Sequence, residues 1–197
     1  MKRLTTLLVA LFGVLGLAFS GLGASSAHAA SWPVLKSGSR GVQVTTLQYL
    51  LAARGHAPNG VDGAFGPSTQ SKVKSFQKAN GLSADGIAGT KTWTKLTKMN
   101  LKPGHKGASV KALQTQLNRY GHRLGVDGSF GPATQKAVKS FQKSKGLSVD
   151  GVAGPNTFRA LITGSGSGGG GGGGGTSRAG LAKDILNDRG ITLLHFC

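Results

Sequence analysis

The chain carries six carboxylates, all of them Asp, together with five His and a single Cys. Metal sites, acid–base pairs and nucleophiles are built from these residue types. Their placement here argues against each. Asp62, Asp85, Asp127 and Asp150 open four copies of one pattern, Asp-Gly-x-x-Gly-x-x-Thr, 23 residues apart within a pair and 65 between pairs. A calcium loop needs several oxygen ligands, alternating Asp/Asn and a closing Glu; each pattern offers one Asp, and the chain has no Glu. A catalytic zinc needs about three converging ligands, and no two His share helical spacing with a carboxylate. Glycoside cleavage needs paired carboxylates in one cleft. A Ser-His-Asp arrangement is recognised by geometry rather than by spacing, but the four patterned Asp each have a turn to hold. His56, His105 and His122 fall in loops, and Cys197 is the last residue, with His195 beside it. No catalytic residue, metal or cofactor is expected.

The pattern reads instead as a tight turn feeding a helix. An Asp side chain accepts from backbone N–H groups just ahead of it, and the Gly after it tolerates positive φ. This makes Asp62-Gly63, Asp85-Gly86, Asp127-Gly128 and Asp150-Gly151 structural corners. The second Gly stands where a helix begins, and Pro67 and Pro132 follow it at a position where a missing N–H costs nothing. Thr then falls in the first helical turn, and the Asp lies near the positive end of the helix dipole.

The elements around these corners repeat as well. Val44, Leu47 and Leu51 share a helical face, with Leu50 beside them, and Gly55 is placed as a stop. A second helix begins at Pro67, turns Val73 and Phe76 inward and stops at Gly81. A third runs from about Thr90 with Trp93 and Leu96 inward and frays near Met99. The order then replays: Val110, Leu113 and Leu117, then Gly121, then Val138 and Phe141, then Gly146, then Phe158 and Leu161. One residue is lost from the loop before Val126. The expected fold is mainly α: two tandem three-helix bundles, residues 32–99 and 101–163. Units of about 60 residues bury only ~60% of their unfolded surface, so packing of one on the other would help both.

The flanks differ in kind. Lys2-Arg3, the apolar run Leu7–Phe19 and Ala27-His28-Ala29 read as a secretory signal peptide over residues 1–29. The run is short for a membrane span, so an exported chain with no stable membrane insertion is expected. Residues 164–177, with eight consecutive glycines, read as a flexible linker. Residues 178–197 read as a short helix and a strand, the stub of a truncated further domain. Residues 30–100 carry nine Lys/Arg against two Asp, and residues 101–163 ten against two. Such an excess suits a polyanion or anionic surface. For an exported chain, a bacterial wall rich in carboxylate and phosphate fits better than nucleic acid. A plain solvated surface is the alternative.

The motif set Gly-x-Arg/Lys-Gly…Val-x-x-Leu-Gln, Val-Asp-Gly-x-Phe-Gly-Pro-x-Thr, Val-Lys-Ser-Phe-Gln-Lys-x-x-Gly-Leu and Asp-Gly-x-Ala-Gly-x-x-Thr resembles the type 1 peptidoglycan-binding domain family. The resemblance covers about Leu35–Leu96 and Leu101–Ile162. It implies compact helical modules that tether secreted wall hydrolases to peptidoglycan. The chain departs from the family in the shortened second loop and in Phe158, where Trp is commoner. The tail Leu181–Phe196 is similar to the opening of hydrolase domains in actinobacterial wall enzymes.

Candidate contacts with such a ligand are Gln48, Gln77, Gln114 and Gln142, whose amides suit glycan hydroxyls or stem-peptide amides. The alternative for them is capping of helix ends or loop backbone. Phe65 and Phe130 either stack on a sugar face or fill the core. Thr69 and Thr134 stand beside them. Lys72, Lys74, Lys78, Lys136, Lys139 and Lys143 either attract wall phosphates or solvate a helix face. The function expected is that of a secreted, wall-associated, non-catalytic peptidoglycan-binding protein. The alternatives are the front of a wall hydrolase and a basic protein holding anionic wall polymers by charge.

Overall fold

The computed structural model describes residues 31–164. The expected signal peptide, all but the first residue of the linker, and residues 178–197 lie outside them. Six helices follow in order: α1 Val42–Ala53, α2 Pro67–Ala79, α3 Thr90–Leu96, α4 Ala108–Arg119, α5 Pro132–Ser144 and α6 Pro155–Thr163. Each repeat is thus a three-helix unit, and the described residues form isolated bridges but no strands.

The helix limits follow from local chemistry. Pro67, Pro132 and also Pro155 occupy the first turns of α2, α5 and α6. Gly55, at φ 79°, ends α1. Its N–H donates to the Ala52 carbonyl and the next N–H, from His56, to the Leu51 carbonyl, the paired bonds of a left-handed helix stop. α3 ends at Leu96, short of Met99, where the Met99 N–H leaves the helical ladder and donates to the Thr97 carbonyl at 2.8 Å.

A lead-in segment runs ahead of the first helix of each repeat. Leu35 bridges Ala88 and Arg40 bridges Ala64, both antiparallel. Residues 35–40 therefore tie the two Asp-Gly turns of the first repeat together. Leu101–Ala153 and Lys106–Ser129 do the same in the second.

Val44, Leu47, Leu51, Phe65, Val73, Phe76, Trp93 and Leu96 are buried in the first repeat, and their counterparts through Phe158 and Leu161 in the second. Trp32 stacks on Trp93 with ring centroids 6.0 Å apart, and the Trp93 indole N–H donates to the Pro33 carbonyl at 2.7 Å. Phe158 has no such donor.

The repeats pack on each other through α1 and α4. Thr46 and Leu50 stand one turn apart on α1, as do Ala112 and Gln116 on α4, and all four are buried. Gln116 Nε2 donates to Gln43 Oε1 and to Thr46 Oγ1, each at 2.7 Å. Gln43 Nε2 in turn donates to the Ile162 carbonyl at 2.8 Å, so the first helix of one repeat caps the last helix of the other. The marginal size of each unit is offset by this shared, partly polar seam.

Candidate functional site

Each Asp-Gly corner is closed by the same four-part network. At the first, Asp62 Oδ1 accepts from the Ala64 N–H at 2.9 Å and from Gln48 Nε2 at 2.7 Å. Gln48 Oε1 accepts from the Gly63 N–H at 2.9 Å, and its Nε2 also reaches the Ala64 carbonyl and Thr69 Oγ1. Thr69 Oγ1 donates to the Ala64 carbonyl at 3.3 Å. The other three corners repeat these bonds through Gln77–Asp85–Thr92, Gln114–Asp127–Thr134 and Gln142–Asp150–Thr157. Positive φ at Gly63, Gly86, Gly128 and Gly151 lets each backbone N–H point at its Gln.

These networks hold three of the carboxylates in their charged form. Donation from Gln48 and then from the Ala64 N–H lowers the Asp62 pKa. The Ile87 N–H and then Gln77 do the same for Asp85, and Gln114 and then the Ser129 N–H for Asp127. Elsewhere, burial pulls the His122 pKa down and pushes the Tyr120 pKa up.

The geometry reassigns the eight residues expected to touch a ligand. Gln48, Gln77, Gln114 and Gln142 are at most 2% exposed, and each amide is spent on its own corner. They take the loop-backbone role, extended to the Asp carboxylate. Phe65, Phe130, Thr69 and Thr134 are buried as well. The Phe rings are core: the turn folds its fourth residue under the bundle, where Phe65 and Phe130 are 1% and 2% exposed. The Thr hydroxyls serve the turn rather than the first helical N–H groups, none of which receives a side-chain cap. Lys74, Lys78, Lys139 and Lys143 stay exposed on α2 and α5, Lys136 with them, and Lys72 is half-buried.

Surface relief lies one shell further out, at the second corner of each repeat. A groove of about 420 Å³ in the second repeat is lined by Leu147, Ser148, Asp150, Val152, Pro155 and Asn156, with Asn100 at its edge. A smaller one, about 250 Å³, is lined in the first repeat by Leu82, Ser83, Asp85, Ile87, Thr90 and Lys91. All but Asn100 correspond pairwise at an offset of 65 residues. Gln77 and Thr92 form the inner wall of one groove, Gln142 and Thr157 that of the other. Leu82/Leu147, Ser83/Ser148 and Asp85/Asp150 are the same in both repeats and read in the sequence as parts of the turns, so nothing marked them as groove walls. The only signal would have been the mismatches themselves: Lys91 against Asn156, and Val34 against Asn100.

His56 Nδ1 pairs with Ser75 Oγ at 3.1 Å, and His105 Nδ1 faces the Lys102 backbone. No three His, Cys, Asp or Glu come together as a metal site among the described residues. No described helix is long and apolar enough to cross a membrane.

Fold and corners together define a tandem helical module assembled around buried Gln–Asp turns. The chain belongs to the PG_binding_1 family of peptidoglycan binding domains, whose profile matches residues 40–96 and 106–161. It is similar to the N-acetylmuramoyl-L-alanine amidase CwlL of Bacillus licheniformis, at 32% identity over 66% of this chain and 45% of the relative. It is also similar to the amidase CwlM of Mycobacterium tuberculosis, at 31% identity over 64% and 37% respectively. The chain spans less than half the length of either relative. Among solved structures, a peptidoglycan-binding protein from Clostridioides difficile matches at 45% identity over 34% of this chain and 42% of that one, with a TM-score of 0.33.

Proposed function

We propose that the chain is an exported protein that holds peptidoglycan noncovalently through both repeats, without cleaving it. The observation that carries this reading is the recurrence of one groove at the same corner of each repeat. A buried network that rebuilds the same surface relief twice favours a shared ligand over an accident of packing. The ligand sits in the grooves, against side chains not already spent on the fold. The 19 basic residues and four Asp between residues 31 and 164 add long-range attraction to wall carboxylates and phosphates.

The test is co-sedimentation with purified wall sacculi. Binding is expected to persist at salt near 0.15 M, where the screening length is about 8 Å, with no release of soluble wall fragments. Complete loss of binding at that salt would favour attachment by charge alone to anionic polymers. Release of fragments would overturn the non-catalytic reading.

A second reading, that the chain is the wall-binding part of a longer hydrolase, is favoured by the length of the amidases it resembles. Sequencing the genomic DNA past the Cys197 codon in all three frames separates the two.

A further inference from the structure

We propose that the two grooves read different chemistry in the wall polymer. The first-repeat groove takes a segment bearing a free carboxylate, and the second-repeat groove takes a neutral segment rich in amides and hydroxyls. The inference rests on the reading above, that the grooves hold peptidoglycan.

The argument is one of subtraction. Both grooves have the same inner wall, a buried Gln and Thr whose hydrogen bonds are spent. Both carry one Asp with Oδ1 committed inward. Both corners are crossed by a lysine stem: Lys74 lies against Gly86, and Lys139 against Gly151. These shared parts cancel. Three matched lining positions differ: Ile87 against Val152, Thr90 against Pro155, and Lys91 against Asn156; only the last changes charge, with Lys91 exposed on the wall of the first groove. Arg159 on α6 does not line the second groove.

The second groove gains a further neutral group. Asn100 precedes the Leu101–Ala153 bridge, and its Oδ1 lies 2.9 Å from where a Cβ on Gly154 would stand. The first repeat has Val34 at this place, 65% exposed, and nothing within 4 Å of the corresponding point on Gly89. Asn100, Ser148 and Asn156 make no side-chain hydrogen bond within the described residues. Two carboxamides and a hydroxyl thus ring the second groove with donors and acceptors unspent. That set matches the neutral amides and hydroxyls of a peptidoglycan strand. The first groove thus carries one ammonium more than the second, which favours an anion there, and the anion native to a peptidoglycan peptide is its carboxylate.

The experiment uses the full exported chain, isotopically labelled, and a soluble disaccharide–peptide wall fragment with its carboxylates free or amidated. Backbone amide signals of residues 83–92 and 148–157 report on the two grooves separately. The free fragment is expected to bind the first groove about two- to fivefold more tightly than the amidated one, the range of an exposed ion pair. The second groove should not distinguish them. K91N should abolish the preference, and N156K should create one in the second groove. N100A should weaken the second groove alone by roughly two- to tenfold.

Equal affinity of the two fragments at the first groove, or a preference that survives K91N, overturns the inference. So does tighter binding there by a polyol-phosphate oligomer than by the free fragment, which would mark a site for anionic polymers. If neither set of signals moves while the chain still sediments with sacculi, the groove reading itself fails.

Discussion

At the scale of single residues, the Gln amide is the pivot of the fold. Gln142 Nε2 and Oε1 make four bonds within one corner, including one from the buried Gly151 N–H. Q142L should therefore cost about 1–3 kcal/mol, the penalty of stranding buried polar groups, read by urea denaturation. Gln116 makes the contrast. It too is fully buried, but its Oε1 has no partner among the described residues, so Q116L removes an orphan acceptor along with two bonds and should cost less than Q114L two residues earlier. The carboxylates give a pH signature. Folded Asp62, Asp85 and Asp127 titrate below the ordinary 3.8, so the folded chain releases these protons more readily than the unfolded one. The stability they contribute is full above about pH 4 and is lost as pH falls through their lowered values. Thermal melts should fall gently below about pH 6.5, where burial keeps folded His122 neutral while the unfolded chain protonates it, and steeply at the acid end, where D62N should flatten the fall.

At the scale of elements, the two Gly before the third helices of the repeats should behave differently. A Cβ at Gly89 meets nothing within 4 Å, whereas one at Gly154 meets Asn100. Neither position has positive φ. G89A should therefore leave melting unchanged or raise stability by about 0.4–1 kcal/mol, while G154A displaces Asn100 and should lower it. Helix positions were readable in the sequence because their signals are local: Pro after a turn Gly, a left-handed Gly stop, apolar residues at helical spacing. The Asp-Gly corners were readable for the same reason. The Gln partner of each Asp was not, since Gln48 and Asp62 stand 14 residues apart and meet only through folding. Phe65 was readable as core or contact; its place beneath the turn settles it as core. The grooves were out of reach, because Asn100 meets the 148–156 corner only through the Leu101–Ala153 bridge, and Ser148, a repeat of Ser83, carries no mark of its own.

At the scale of the whole molecule, the α1–α4 seam makes the repeats one body. The sequence showed one apolar face of α1, Val44, Leu47 and Leu51 with Leu50 beside them; the second buried side, which carries Thr46, is polar in part and gave no apolar signal. Across the seam, Arg54 and Tyr120 occupy matching positions and do one job with different chemistry. Arg54 Nη2 donates to the Leu96 carbonyl and Tyr120 Oη to the Leu161 carbonyl, each at 3.0 Å. Both close the end of a third helix. Calorimetry should show one cooperative transition for residues 31–164. The central claim, that the grooves carry wall binding, is tested most directly by filling them. Ser83 and Ser148 are exposed on the groove walls, and their hydroxyls hold no hydrogen bond among the described residues. The double variant S83Y/S148Y should melt like the parent chain and lose binding to sacculi by on the order of tenfold, about 1.4 kcal/mol. Unchanged sedimentation by a variant of unchanged stability would contradict the account.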